Sequence, residues 1–233
     1  MPDFPYRNAL IVGAGPGISA SLARQLAGLG LKVALAARNI HKLDALVHDI
    51  GAVALVADTS DPASVATLFE QTQEQIGDPE IVVYNAASRA QGPIAELDAG
   101  TVQKALAISA FGGFLVVQQA AKSMLPHGRG AILLTGATAS VKGFAHSAAF
   151  AMGKFALRGL AQSAARELGP KGIHVAHFVI DGAVRAAGRP DPADRPDSTL
   201  DPDAIALAYV AALRQPRSAW SQEIELRPWV EHY

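Results

Sequence analysis

Residues 8–19 have the sequence Asn8-Ala9-Leu10-Ile11-Val12-Gly13-Ala14-Gly15-Pro16-Gly17-Ile18-Ser19, and this stretch decides the fold. Its apolar first half predicts a buried strand, and the glycines that follow predict a tight turn. Apolar residues then recur at helical spacing up to Leu29, which predicts a helix beginning at Ile18. A glycine turn between a strand and a helix lets the backbone approach a pyrophosphate, although a purely structural turn has the same composition.

The same alternation continues along the chain. Apolar runs predict strands at residues 32–37, 53–57, 81–84, 131–135, 173–180 and 223–226. Helical spacing predicts helices near residues 43–47 and 65–69, with Asn39 and Asp61 as caps, and over 99–125, 146–168 and 203–213. Continuous apolar strands between amphipathic helices indicate a parallel sheet covered on both faces. We therefore predict an α/β fold, a Rossmann-type doubly wound parallel sheet in a single domain over residues 1–233.

Composition narrows the classes of function. The 233 residues include 20 Lys and Arg and 21 Asp and Glu, for a net charge of −1, so charge gives no case for nucleic acid or an anionic membrane as a partner. The absence of cysteine excludes disulfides and thiolate chemistry. No group of His, Asp and Glu has metal-ligand spacing, so we predict no metal.

The sequence also gives an expectation about location. The first residues lack a signal-peptide pattern. The uncharged run 105–121 is interrupted by polar residues and glycines, and it is shorter than the roughly 20 apolar residues of a spanning helix. We expect a cytoplasmic protein with no membrane partner.

Residues 185–203 differ from the rest of the chain. They are rich in Pro and Asp and have no apolar period. Because they follow the carboxyl end of a predicted strand, where ligands bind in such sheets, they suit a lid loop. A disordered surface insertion explains the composition equally well.

The tip of the second predicted strand bears on the nucleotide. An acidic residue about 20 positions into such a unit would bind a ribose 2′-hydroxyl. Here the tip is Ala37-Arg38-Asn39, and the next acid is Asp44. A guanidinium without a neighbouring carboxylate favours a 2′-phosphate, so Arg38 predicts NADP(H) over NAD(H). The alternative is a solvated surface arginine.

Several segments resemble the short-chain dehydrogenase/reductase family. The stretch Ser147-Ala148-Ala149-Phe150-Ala151-Met152-Gly153-Lys154 resembles the family's Tyr-x-x-x-Lys helix, with Phe150 in place of the tyrosine. The glycine turn resembles Gly-x-x-x-Gly-x-Gly, with Ser19 at the third glycine. Asp58 and Asn85-Ala86-Ala87 stand where the family has an aspartate and an Asn-Asn-Ala-Gly element. The resemblance covers residues 9–213, and the chain is identified as a divergent member, of the kind in which Phe replaces the active-site Tyr.

The resemblance implies a role for each matching residue. The turn would hold the pyrophosphate, Asp58 the adenine amino group and Lys154 the nicotinamide ribose, and Lys154 is also the catalytic residue that is kept. Asp58 has an alternative role as a cap of its own segment, and Asn85 as part of tight strand–helix packing. The implied cofactor-binding residues, with Arg38 added, are Gly13, Gly17, Ile18, Ser19, Arg38, Asp58, Asn85, Ala86, Lys154 and Val184.

The other catalytic positions differ from the family's pattern. The family's serine, 13 residues before the tyrosine, aligns with Ala137, and its asparagine aligns with Ser109. Its threonine after the sixth strand aligns with Ala186. Loss of a general acid alone costs about 10²–10⁴ in rate, so Tyr-dependent carbonyl reduction is not expected.

Ala137, Thr138 and Phe150 are the predicted lining of the substrate pocket. Ala137 and Phe150 make its floor apolar, which suits a small hydrophobic substrate. Thr138, Ser140 and His146 are candidate replacement proton donors, although a histidine before a helix is more often a surface or capping residue.

Two further histidines have a structural interpretation. His174 and His177 lie on opposite faces of the sixth predicted strand, and we expect both to be packed strand residues.

The leading hypothesis is an NADP(H)-dependent oxidoreductase with an altered proton-donor arrangement. The alternative is a catalytically inactive NADP(H)-binding sensor or scaffold, and a lyase or isomerase with a structural cofactor is more remote. The resemblance also implies a homodimer or homotetramer. Small and apolar residues over 105–120 and 155–165 fit such an interface, and core packing explains them as well.

Overall fold

The structure, a computed structural model, describes residues 4–186, 188 and 190–230. The strands in this part of the chain are β1 (Asn8–Val12), β2 (Lys32–Ala37), β3 (Val53–Val56), β4 (Ile81–Tyr84), β5 (Gly130–Thr135), β6 (Ile173–Ile180) and β7 (Glu223–Leu226). They form one parallel sheet in the order β3-β2-β1-β4-β5-β6-β7. Strands β2, β4, β6 and β7 have the predicted bounds, and β3 and β5 differ by one residue at one end.

The helices in the described part of the chain are α1 (Ile18–Gly28), α2 (Asp44–Ile50), α3 (Pro62–Ile76), α4 (Ala99–Leu106), α5 (Gly112–Met124), α6 (Ala148–Leu168) and α7 (Pro202–Leu213). The helix predicted over 99–125 is divided by a π-helical turn, Ala107–Phe111. The helix predicted from residue 146 begins at Ala148, because His146 has a φ of 61°, which a right-handed helix does not allow.

Two hydrophobic layers enclose the sheet. One layer contains the buried faces of α1, α2 and α7 and includes Ala9 and Ile11 of β1. The other contains those of α3, α5 and α6 and includes Leu10 and Val12. Alternate residues of one strand therefore enter opposite layers, as they must in a sheet covered on both faces. This confirms the doubly wound α/β fold.

Polar caps fix where several helices begin. The carboxylates of Asp61, Asp98 and Asp201 each accept a backbone N–H in the first turn of α3, α4 and α7. Each such cap stabilises its helix by about 1 kcal/mol. The prediction that Asn39 caps the helix after β2 is wrong, because Ile40 is the N-cap of the short turn His41–Leu43 and Leu43 is that of α2. Asn39 Oδ1 instead accepts the N–H of His41 at 3.1 Å in the preceding loop.

The strand order places the ligand-binding crevice. The chain passes from β1 outward to β3 and then returns to β4, so the connections after β1 and after β4 diverge. Ligands bind in open α/β sheets outside the carboxyl ends of the strands at this reversal. The glycine turn follows β1, and Asn85 follows β4.

The helical segment Ala99–His127 contains α4, the π-helical turn and α5, and it is longer than the uncharged run 105–121. By length and composition alone, it is the one helix in the described residues that would suffice to cross a membrane. A core helix passes the same test, and α5 supplies core residues: Leu115, Val116, Val117, Ala120 and Met124 are buried.

Most of the predicted lid loop, residues 185–203, is described, while residues 187 and 189 lie outside the described part. Val184 and Leu200 form an isolated parallel bridge at its base. The Arg185 guanidinium contacts three carboxylates, at 2.5 Å from Asp191, 3.3 Å from Asp197 and 3.4 Å from Asp201. Three of the five acidic residues of this segment therefore contact one arginine.

Candidate active site

The glycine turn lies directly against the end of β4. Gly13 has a φ of 80°, and a Cβ there would lie 2.3 Å from the backbone nitrogen of Ala86. The N–H groups of Gly13 and Ala14 both donate to the carbonyl of Ala36, each at 2.9 Å. Position 13 therefore requires glycine on two grounds, conformation and space.

Ser19, at the family's third glycine, packs without conflict. Its side chain is buried, and its Oγ accepts the Asn85 Nδ2 amide at 2.8 Å. The N–H of Asn85 donates to the Val12 carbonyl at 2.8 Å. The serine thus ties α1 to the end of β4, and its oxygen is directed at Asn85.

The outer side of the turn is open. A Cβ at Gly15 or Gly17 would meet nothing within 4 Å. Gly17 is the N-cap of α1, the helix has no side-chain cap hydrogen bond, and its first turn contains no acid. An open helix N-terminus of this kind attracts an anionic group.

A cleft of about 330 Å³ continues from the turn to the tip of β2. Two cations line it, Arg38 as predicted and Lys42, which the sequence analysis missed. Lys42 lies in the short turn His41–Leu43, where no apolar or motif pattern singles it out. The described residues that line the cleft include no acid, and they include Gly13, Asn85 and Ala86.

Asp58 has local partners. Its Oδ1 accepts the Ser60 N–H at 2.9 Å and the Ser60 hydroxyl at 2.6 Å. These bonds, followed by the positive charge of Arg38, lower the pKa of the Asp58 carboxyl. The contacts are those of the capping role, while the neighbouring Ala57 and Thr59 line the cleft.

Lys154 is on α6, and its almost completely buried side chain extends to the end of β5. Its Nζ donates to the Thr135 carbonyl at 2.6 Å. Burial lowers the pKa of its ammonium to about 8, and the charge of Arg89 adds to the effect. Lys154 is therefore not a solvent-exposed lysine on the helix surface.

Phe150 is covered by a cation that the sequence analysis also missed. The Arg89 guanidinium carbon lies 4.3 Å from the centre of the Phe150 ring, and the Lys154 Nζ lies 5.8 Å from it. Both distances fall in the range of cation–π interactions. Phe150 thus presents an apolar ring with two positive charges close to it.

Ser109, which the resemblance aligns with the family's asparagine, forms hydrogen bonds with the loop after β4. Its Oγ accepts the Ser88 N–H at 2.9 Å and donates to the Ser88 carbonyl at 3.3 Å. A Cβ at Gly153 would lie 2.6 Å from the Ser109 Cβ, so α6 approaches the π-helical turn closely at this point. Ser109 is buried, and its contacts position backbone.

The loop after β5 contains the other predicted pocket residues. Ala137 and Thr138 begin it, and both are partly buried. Ser140 is completely buried, and its Oγ accepts the Ala137 N–H at 3.1 Å. The His146 side chain is exposed, while its carbonyl accepts the Gly92 N–H at 3.1 Å and so joins this loop to the one after β4.

The two histidines of β6 are buried on opposite faces, as the sequence predicts. His174 stacks on Trp220 with ring centres 4.8 Å apart. His177 Nδ1 donates to Glu223 Oε2 at 3.1 Å, and Glu223 in turn accepts two bonds from Arg158. Burial lowers the pKa of both imidazoles, so each is neutral near pH 7.

The turn after β6 has a buried carboxylate. Asp181 pairs with Arg227 at 3.0 Å. Val184, two residues after Gly182, is partly buried at the bridge to Leu200. Within residues 4–186, 188 and 190–230, no group of three or more His, Asp or Glu side chains is placed to hold a metal ion.

The cradle at the glycine turn fits a dinucleotide. It offers an open backbone turn, an uncapped helix N-terminus and a cleft with two cations and no acid among its described residues. The second half of the site is apolar at Ala137 and Phe150 and positive at Arg89 and Lys154.

The chain is similar to known oxidoreductases over nearly its whole length. An uncharacterized oxidoreductase of Staphylococcus aureus (strain MW2) is 30% identical over 229 residues, which cover 94% of this chain and 96% of that protein. The crystal structure of a short-chain dehydrogenase from Rhodopseudomonas palustris has 35% identity and a TM-score of 0.82, covering 96% and 99% of the two chains. A metagenomic short-chain oxidoreductase in complex with NADP has 26% identity and a TM-score of 0.84, covering 97% and 98%.

The family model described as short chain dehydrogenase matches residues 7–189. That range contains the glycine turn, the cleft at the tip of β2 and the helix with Phe150 and Lys154. The protein therefore belongs to the short-chain dehydrogenase/reductase family of oxidoreductases.

Proposed function

We propose that the protein is an NADP(H)-dependent oxidoreductase whose active site differs from the family's at three positions. Phe150, Ala137 and Ser109 stand in place of the tyrosine, serine and asparagine, and Lys154 is kept. The observation that supports the cofactor is the cleft beside the open glycine turn, with Arg38 and Lys42 as its only charged described residues. A solved neighbour holds NADP, which agrees with this preference.

Each part of the cradle has a defined task in this proposal. The α1 N-terminus and the turn at Gly13 and Gly17 face the pyrophosphate. Arg38 and Lys42 pair with the 2′-phosphate, because two cations without a neighbouring acid stabilise a dianion. Bound NADP(H) supplies or accepts the hydride.

Asn85 and Ser19 hold the end of β4 against the turn. Ala86 and Val184 lie at the ends of β4 and β6, on the side of the sheet where the cofactor is bound.

Lys154 is the group that we assign to the chemistry. With a pKa of about 8 it is protonated at pH 7, and its other N–H bonds remain for the cofactor ribose or the substrate. A group whose pKa lies near the working pH is suited to proton transfer. Phe150 has no proton to donate, so Tyr-dependent carbonyl reduction is not part of the proposal.

The substrate side of the site is apolar. Phe150, Ala137 and the partly buried Thr138 suit a small molecule with a hydrophobic body. We also propose that the protein works in the cytoplasm as a homodimer or homotetramer, without nucleic acid or membrane partners.

Two titrations and one assay test the function. NADPH and NADH are titrated by calorimetry, and we expect NADPH to bind more tightly. The variant Arg38→Ala, Lys42→Ala should lose most of this preference, while NADH affinity stays within about twofold. Binding of neither nucleotide below about 1 mM would exclude the proposal.

Turnover is then measured as loss of NADPH absorbance with carbonyl and enone substrates. Activity of the wild type that Phe150→Tyr does not increase supports an active, rebuilt site. Activity that requires both Phe150→Tyr and Ala137→Ser supports the alternative, an inactive NADP(H)-binding sensor or scaffold.

A further inference from the structure

The positive charge over Phe150 has no hydrogen-bond or ion-pair partner among the described residues. Arg89 is exposed, and among the residues that the structure describes its guanidinium has neither a hydrogen bond nor an ion pair. One face of the guanidinium lies on the ring. Its N–H donors remain available to a ligand in the same region.

The backbone of Arg89 is fixed on its N-terminal side. Ser109 binds both the N–H and the carbonyl of Ser88, the residue before Arg89. Because Ser109 is buried at the π-helical turn, it connects the loop after β4 to the core. The serine at the asparagine position therefore positions the arginine.

The backbone is also fixed on the C-terminal side. Ala90 is buried in a small cluster with Ala105 of α4 and Ala149 of α6. Ala149 directly precedes Phe150, so the residue after Arg89 packs on the residue before the ring. This arrangement fixes the backbone from which the Arg89 side chain reaches the ring.

A second positive charge lies near the same ring. The Lys154 Nζ is 5.8 Å from the ring centre and donates to the Thr135 carbonyl, and the charge of Arg89 contributes to the lowered pKa of its ammonium. The two cations repel each other, and no carboxylate of the described residues is paired with either. An anion bound beside Arg89 would relieve that repulsion.

We propose that Arg89 binds a carboxylate of the substrate, so that the substrate combines an acid group with an apolar body. A planar guanidinium matches a carboxylate with two parallel hydrogen bonds. Phe150 and Ala137 provide the apolar surface beside it. The inference rests on the proposed function, since it names the substrate class of that same site.

The test uses a pair of probes that differ only in charge. Calorimetry measures the binding of 4-phenylbutanoate and 4-phenylbutanamide to the protein, both alone and saturated with NADPH. The wild type should bind the acid about 10- to 100-fold more tightly than the amide, the effect of charge-assisted hydrogen bonds. Arg89→Gln should reduce this ratio to about 1, and Arg89→Lys should keep part of it.

The control is Lys142→Gln, which removes another exposed cation that lies 5.8 Å from an aromatic ring, that of Phe144. It should leave the acid-to-amide ratio unchanged. A ratio near 1 in the wild type, binding of neither probe at about 10 mM, or an equal loss in Lys142→Gln would each overturn the inference. NADPH affinity of Arg89→Gln should stay within about twofold of the wild-type value. If the wild type does not bind NADPH, that result contradicts the proposed function but not this inference, because the probe ratio is also measured without nucleotide.

Discussion

Lys154 is a charged side chain held almost out of contact with water. Burial disfavours its ammonium, and the nearby Arg89 disfavours it further, so its pKa falls from the ordinary 10.5 to about 8. Below pH 8 the lysine is protonated in both the folded and the unfolded protein. Between about pH 8 and 10.5 only the unfolded protein keeps the proton, so the free energy of unfolding rises with pH in this window.

This gives the first prediction. The difference in unfolding free energy between the wild type and Lys154→Met should increase as pH rises from 8 to 10, by up to about 1.4 kcal/mol per pH unit. Urea unfolding at pH 7, 8, 9 and 10 measures it, and taking the difference removes the other titrating groups. A difference that stays constant, or that falls with pH, would show that Lys154 is not desolvated.

The residues of the site were predictable to different degrees. Phe150 and Ala137 follow from spacing within one segment, so sequence alone indicates that the proton donor and its neighbour are replaced. Arg89 lies in a loop without any pattern, and its place over Phe150 comes from packing between α4 and α6. Ser19 follows from the glycine pattern, while the bond between its Oγ and the Asn85 amide comes from tertiary structure.

At the scale of elements, the contact between α6 and the π-helical turn depends on a glycine. A Cβ on Gly153 would lie 2.6 Å from the Ser109 Cβ, in a buried contact that cannot yield without separating the two helices. Gly153→Ala should therefore lower the unfolding free energy by about 1–3 kcal/mol. Chemical denaturation measures this effect.

Gly159, in the interior of the same helix, is the matched control for Gly153. A Cβ there meets nothing within 4 Å, so Gly159→Ala should stabilise the protein by about 0.5–1 kcal/mol through helix propensity. The two substitutions are thus expected to have opposite signs. A neutral Gly153→Ala would mean that the helices can move apart without cost.

The π-helical turn has a partner outside its own helix. Tyr84 is completely buried at the end of β4, and its hydroxyl donates to the Ile108 carbonyl within the turn. This bond ties the end of β4 to the turn. Burial raises the pKa of the Tyr84 phenol to about 12, so it remains a donor throughout the neutral range.

Tyr84→Phe should accordingly destabilise the protein by about 0.5–1.5 kcal/mol, the net contribution of a buried hydrogen bond. It should also speed amide exchange over residues 109–113. Tyr6→Phe is the control, because no described residue bonds to the Tyr6 hydroxyl, and its effect should be within about 0.5 kcal/mol. Equal effects of the two changes would argue against the Ile108 bond.

The elements themselves were largely predictable, and the exceptions have a common cause. Strand and helix positions follow from local apolar patterns, which is why β2, β4, β6 and β7 match to the residue. The division of the helix over 99–125 depends on Tyr84, which lies 24 positions before Ile108. The start of α6 at Ala148 depends on the turn at His146, whose carbonyl binds the loop after β4. Both are contacts between distant segments, which a local pattern does not contain.

At the scale of the whole molecule, the surface of the long helices is unusually aromatic. Phe111, Phe114 and Phe155 are each more than 40% exposed, and Phe111 and Phe114 stack with their ring centres 6.2 Å apart. They lie on the π-helical turn, α5 and α6, which are neighbours in the fold. Clustered exposed aromatic side chains are typical of surfaces that bind another protein.

We predict that these residues form the contact between copies of the chain. The wild type should behave as a dimer or tetramer in light scattering after gel filtration. The double variant Phe114→Glu, Phe155→Glu should be a monomer at the same concentration, because charged side chains buried without partners would cost several kcal/mol at the interface.

The control for this prediction is Leu207→Glu, which changes an even more exposed apolar residue, on α7. Since α7 covers the opposite face of the sheet, this change should leave the mass unchanged. A wild type that is monomeric, or a Phe114→Glu, Phe155→Glu protein that keeps its mass, would assign the aromatic surface to another partner. The far-ultraviolet circular dichroism of each variant should match the wild type, because the changed side chains lie outside both hydrophobic layers.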